Sequence, residues 1–308
     1  MGHGRMSATD WDTFTTTKTA GKPIHTVFAS RSLKESFDPK KIILRESRDS
    51  TDNPASTPII IGLDVTGSMG MIPDYFVRTG LKPLFEEIYT RRPVSDPAIM
   101  LMGIGDVVSD RAPMQASQFE SDIRIADQLT ELFLEGGGGG NSTESYTIPW
   151  YFAAMKTSLD SYEKRKKKGY LFTIGDEELP AVVRAAEFEK VFGPGQYTDL
   201  TSEQLLEMAS RFFHVFHIVV EQGSHCRYGN VDAVVQSWTG LLGQRVLRLS
   251  DYTKLSEVIV SAIQVTEGDS VSKVAGSWSA DTSLVVTRAV GGLVAATDSS
   301  GGGTLVAF

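Results

Sequence analysis

Short, largely apolar runs recur along the chain at 58–63, 98–104, 170–174, 213–220 and 245–249. Runs of this length, bounded by Gly, Pro and acidic residues, read as strands buried on both faces. The segments between them predict helices near 72–91, 121–134, 144–163, 180–191, 201–211, 229–242 and 252–265. Pro73 suits a first helical turn. Pro83 is expected to kink or end the same helix, because proline lacks the N–H that continues it. A short stretch at 113–119 fits an antiparallel partner for the second strand. Strands alternating with helices predict an α/β fold, Rossmann-like, with a mainly parallel sheet covered by helices on both faces. Ligands of such sheets gather at the carboxyl ends of the strands.

The flanks differ from this middle. Residues 1–57 are polar and read as an N-terminal extension, with Thr26-Val-Phe-Ala and Ile42-Ile-Leu as candidate edge strands. The stretch 45–54 is rich in Asp, Asn and Ser and ends on Pro54, so it reads as a loop. The α/β unit spans 58–266. Residues 267–308 are rich in Ser, Gly, Ala and Val, and fit either an appended β hairpin or a tail that orders on a partner.

Composition narrows the classes. The 308 residues are 41% hydrophobic and 22% charged, as in globular domains. A net charge of −8 argues against nonspecific nucleic-acid binding, which needs clustered Lys and Arg. Cys226 is the single cysteine, so no intrachain disulfide forms. Residues 1–7 carry no apolar stretch of the secretory kind. No run reaches the ~20 apolar residues of a membrane helix; the best, Leu284 to Ala296, is broken by Arg288 and two glycines. A cytoplasmic location without membrane contact is the expectation.

Three loops carry candidate chemistry. The first strand runs into Asp64-Val-Thr66-Gly-Ser68, which puts one carboxylate and two hydroxyls on one turn. A glycine run, 136–140, leads into Asn141-Ser142-Thr143-Glu144 before a helix. The strand at 170–174 is followed by Asp176-Glu177-Glu178. Oxygen donors of this kind suit a hard divalent cation. Singly, each group has a plain structural reading: Asp64, Ser68 and Thr143 as helix caps, and Asp176 with its two glutamates as a first-turn acidic cluster.

The order Asp-x-Thr-x-Ser, then Thr after a glycine-rich turn, then Asp at a later strand end, resembles the von Willebrand factor A (VWA) domain with its metal-ion-dependent adhesion site, of the bacterial intracellular type. The resemblance covers about 58–266. It implies Asp64, Thr66 and Ser68 as ligands of the first loop, Thr143 of the second and Asp176 of the third. Thr66 stands where the family usually has Ser. The second loop has one residue more than the family's Gly-Gly-x-Thr, so Asn141, Ser142 or Glu144 could supply the oxygen instead of Thr143. The implied ion is Mg²⁺, or Mn²⁺ or Ca²⁺ in its place. The implied function is a protein-interaction module that binds a partner's Asp or Glu through the metal. An adaptor role beside a MoxR-type AAA+ ATPase is also implied.

An enzyme of haloacid-dehalogenase type, a Mg²⁺-dependent phosphohydrolase with Asp64 as nucleophile, is the alternative. It requires an acid two residues later as acid/base, and that position is Thr66. The protein is therefore expected not to be an enzyme. Other features have plain readings. The glycine run is followed by no Lys-Ser/Thr, so it is not a P-loop. Gly67-Ser68-Met-Gly70 misses a nucleophile elbow, because position 66 is Thr. His214 and His217 fall on opposite faces of one strand and read as core or edge histidines. Lys164 to Lys168 reads as a solvated helix end, and Trp150, Tyr151 and Phe152 as core. Asp106, at a neighbouring strand end, reads as a solvated loop acid sooner than as a group that supports the metal ligands from behind.

Overall fold

The computed structural model describes residues 8–135 and 143–296. Its main sheet has six strands: β1 (Thr57–Asp64), β2 (Pro97–Ile104), β3 (Met114–Ala116), β4 (Gly169–Gly175), β5 (Phe213–Val220) and β6 (Val246–Leu249). Their order is β6-β5-β4-β1-β2-β3, all parallel except β3, which runs antiparallel to β2. The Rossmann-like α/β expectation therefore holds, including the antiparallel partner near 113–119.

Successive strand residues face opposite sides, and β1 shows the consequence. Ile59, Ile61 and Leu63 enter one core and Ile60 the other. The first core is closed by α1 (Leu81–Arg91), α5 (Leu255–Thr266) and α6 (Ala280–Val290); the second by α2 (Ile148–Met155), α3 (Ser202–Ser210) and α4 (Val231–Leu242). Trp150 and Phe152 are fully buried in the second core, as expected. His214 packs on Tyr170 while His217 stacks on Trp238, on opposite faces of β5. Among the described residues, no helix is long and apolar enough to cross a membrane.

Several expectations are corrected. Pro83, expected to kink or end its helix, does not end it. It sits in the first turn of α1, directly after a wide π-helical turn at Phe76–Gly80, where its missing N–H is tolerated. The segment near 144–163 is not one helix: α2 ends at Met155, a strand Thr157–Leu159 follows, and a short helix covers Asp160–Arg165. That strand pairs in parallel with Arg45–Ser47, which lies just beyond the apolar patch expected to form an edge strand. The other patch is a helical turn, Ile24–Val27.

No hairpin forms in 267–296. Val271–Gly276 and α6 are helical, and Thr282, Val286, Ala289 and Val290 bury one face at helical spacing. The β-branched residues that suggested strands are overridden by this tertiary packing. Residues 297–308 lie outside the described part. The N-terminal extension also joins the first core, through Trp11, Phe14, Phe28 and Phe37.

Candidate metal site

Register brings the acids together. β1 lies between β2 and β4, with Asp64 opposite Ile104 and Leu63 opposite Ile174. Asp106 and Asp176 each stand two residues beyond those partners. Parallel pairing therefore delivers Asp64, Asp106 and Asp176 to one edge of the sheet.

Hydrogen bonds join the first and third loops. Asp64 Oδ1 accepts the Thr66 N–H at 2.9 Å and the Thr66 hydroxyl at 2.6 Å. Ser68 Oγ donates to Asp176 Oδ1 at 3.0 Å, and the Thr66 and Ser68 oxygens are 3.3 Å apart. Each hydroxyl has one hydrogen. With both hydrogens committed to carboxylates, the 3.3 Å contact sets two oxygens side by side with unspent lone pairs. Thr66 is buried, Ser68 half-buried and Gly67 exposed, so the loop opens to solvent on the Gly67–Ser68 side.

The third loop is fixed from behind. Asp176 Oδ2 accepts the His225 N–H at 2.7 Å, and its carbonyl accepts the Cys226 thiol at 3.1 Å. A Cβ at Gly223 would run into the Asp176 side chain, so only glycine lets this turn approach so closely. Burial pushes the Cys226 thiol up to about 12, which makes it an inert packing group.

Tyr146 is the residue that sequence reasoning missed. Its hydroxyl donates to Asp64 Oδ2 at 2.6 Å, and its ring packs edge-on against His217 and Trp238. Nothing distinguishes it from a core tyrosine in the sequence, since its partner is 82 residues away. A Cβ at Gly175 would meet the Tyr146 hydroxyl, which explains the glycine at the end of β4.

The second loop is only partly in view. The glycine run, Asn141 and Ser142 lie outside the described residues. Thr143 is half-buried, and Glu144 beside it is buried. Glu144 Oε2 and Glu177 Oε2 are buried without a hydrogen-bond partner among the described residues. Asp106 is not a solvated acid as expected. It is buried, and its carboxylate folds its own loop by accepting from the Val108 N–H, the Ser109 N–H and the Ser109 hydroxyl.

This edge is electrostatically unbalanced. Burial, opposed by the Thr66 and Tyr146 donors, pushes Asp64 up to about 7. Burial and then repulsion from Asp64 push Glu144 up to about 9 and Glu177 up to about 8. Burial likewise raises Asp176. Among the described residues no Lys or Arg pairs with any of these four; the His225 ring lies 3.8 Å from Glu177. Buried acids left so are costly. A hard cation is what the donor set would accept: two carboxylates, two hydroxyls with free lone pairs, and two orphaned carboxylate oxygens nearby. Among the described residues no group of three or more His, Cys, Asp and Glu side chains is arranged to hold a metal alone, so hydroxyl and water oxygens would have to complete a shell.

No family model matches the chain, and no curated protein does. Solved structures do match. The pilus adhesin SpaC from Lactobacillus rhamnosus GG, in its open conformation, is similar at 11% identity and a TM-score of 0.46, over 71% of this chain and 32% of that one. A second structure of the same adhesin gives 11% identity and a TM-score of 0.47, over 70% and 32%. A von Willebrand factor type A protein from Catenulispora acidiphila gives 11% identity and a TM-score of 0.39, over 70% and 44%. The chain thus spans about a third of the adhesin and under half of the third structure. The sheet order and register described above define the fold.

Proposed function

We propose that the chain is a VWA-like protein-interaction module of the cytoplasm, which binds a partner's Asp or Glu through Mg²⁺, with Mn²⁺ or Ca²⁺ as substitutes. The observation that carries this reading is the linkage of Asp64, Thr66, Ser68 and Asp176 at the carboxyl edge of β1 and β4, amid buried acids that no Lys or Arg among the described residues pairs. Asp64, Thr66, Ser68 and Asp176 would hold the ion, with Thr143 from the second loop. Bound there, the ion would supply an electrophilic centre for a carboxylate oxygen from outside. Tyr146 keeps Asp64 oriented, and the backbone of His225 keeps Asp176 oriented. A MoxR-type AAA+ ATPase is the partner class suggested by the sequence resemblance.

The phosphohydrolase alternative is not favoured. A nucleophilic Asp64 needs a free, exposed oxygen, and Asp64 is fully buried with both oxygens held by donors. The residue two positions on is Thr66, whose hydroxyl serves Asp64 rather than a leaving group.

Pull-down from lysate with Mg²⁺, with EDTA, and with Asp64→Ala tests the reading. Metal-dependent capture of a defined partner, lost in both EDTA and the variant, is expected. Capture unaltered by either would overturn the metal mechanism. Phosphatase turnover abolished by Asp64→Asn would overturn the binding role.

A further inference from the structure

Beside the hydroxyl loop the surface opens into a cleft of about 560 Å³. Phe28 and Ala29 of the N-terminal segment form one wall, Val65, Thr66 and Pro73 the other, and Phe133 closes it. A cavity of this size with apolar walls and few polar groups suits an inserted side chain or small apolar group. Basic residues stand around it in a chain of net charge −8: His25, Arg31 and Arg111. Arg111 is engaged, 3.2 Å from Glu135 and 5.0 Å above the Phe133 ring. Arg31 is exposed and pairs with no acid among the described residues.

Further exposed apolar groups stand on the loops around the acids. Met71 is 57% exposed, Val108 71% and Tyr228 82%. Met71 follows the hydroxyl loop, Val108 follows Asp106, and Tyr228 ends the short helix whose His225 N–H holds Asp176. Apolar groups grouped on one face mark an interaction surface more often than scattered ones do.

We infer that the cleft receives an apolar side chain from an extended, acidic segment of a partner protein, with Arg31 pairing a second carboxylate of that segment. The inference rests on the reading of the neighbouring loop as a carboxylate-binding site. Thr66 belongs to both loop and cleft, so the apolar side chain and the loop-bound acid stand within roughly three residues of each other along an extended strand. The N-terminal segment is thereby a recognition element, because it supplies Arg31 and one wall.

A displayed random heptapeptide library, panned on the full chain in Mg²⁺ and in EDTA, tests this. The wild type is expected to enrich peptides with a large apolar residue within three positions of an Asp or Glu. Ala29→Trp fills the cleft from an exposed position. It should lower recovery of those peptides roughly tenfold or more, the value of burying one large apolar side chain. Ala29→Leu, a smaller filler, should do the same in part, and Arg31→Glu should remove the acidic preference that survives in EDTA. Unshifted melting temperatures establish that the variants fold.

The outcomes separate the two readings. An apolar preference that EDTA leaves intact and Ala29→Trp removes supports the cleft, whatever becomes of the metal. Enrichment indifferent to EDTA throughout sinks the metal mechanism and leaves the cleft standing. Failure to enrich apolar–acidic peptides, or enrichment that both Ala29 variants retain, overturns the cleft inference. A dimer seen by light scattering that Ala29→Trp dissociates also overturns it, since the occupant would then be a second copy of this chain.

Discussion

Asp64 shows how one residue can be legible in sequence and its support illegible. An acid at the end of an apolar strand, with hydroxyls two and four positions on, marks itself by order alone. Asp176 does so as well, because it follows another such strand. Tyr146 does not, since the bond that matters is made by packing between distant segments. Glu144 and Glu177 were visible as acids, yet their burial depends on the layers above them. The Tyr146–Asp64 bond can be measured. Tyr146→Phe leaves Asp64 Oδ2 without its donor in a buried setting. Losing a hydrogen bond to a buried charged group costs about 1–3 kcal/mol. Urea melts in EDTA should show a loss in that range. A loss under about 0.5 kcal/mol, the size of ordinary surface changes, would mean that Tyr146 fills space and does not hold the acid.

Element boundaries followed local chemistry where packing agreed with it. The strands and the helices near 201–211, 229–242 and 252–265 came out close to their expected places, because each carries a continuous apolar face. Pro83 and the segment after 267 did not, since a neighbouring π turn and a buried helical face decided them. The short helix Ser224–Tyr228 is the element on which the candidate site leans, and Gly223 controls how near it comes. Gly223→Ala puts a methyl group against Asp176, an overpacking that costs about 1–3 kcal/mol. It should also shrink the Mg²⁺-induced rise in melting temperature, because Asp176 would turn away from Ser68. Gly240, in the last turn of α4, is the contrasting case. A Cβ there meets nothing within 4 Å. Gly240→Ala should therefore stabilise by about 0.5–1 kcal/mol through backbone entropy and leave the Mg²⁺ response alone. Thermal melts of both variants with and without Mg²⁺ check the pair. Equal responses to Mg²⁺ would detach the Ser224–Tyr228 turn from the site.

At the scale of the molecule, two groups of charges respond to pH in opposite directions. Away from the site, Asp160 is buried and bonded to Lys164, to the Asp49 N–H and to Arg48. Burial opposes its ionisation, but those donors outweigh it and hold its carboxyl at about 2. Its contribution is present above the ordinary Asp value near 3.8 and fades as the pH falls towards 2. Glu144 and Glu177 sit the other way, pushed up to about 9 and about 8 against an ordinary 4.5. Between 4.5 and those values the folded chain keeps protons that the unfolded chain has released. Stability therefore falls as the pH rises through this window, by at most about 1.4 kcal/mol per pH unit for each group. In EDTA the melting temperature should peak on the mildly acidic side and decline steadily towards pH 9. A dication bound at Asp64, Ser68 and Asp176 favours the ionised acids around it, so Mg²⁺ should flatten that decline and raise the curve most at alkaline pH. Calorimetric scans across pH 4 to 9, with and without Mg²⁺, read this directly. Parallel curves would show that the acids titrate without reference to a cation, and the metal reading of this edge would fail although the fold that gathers the acids there stands.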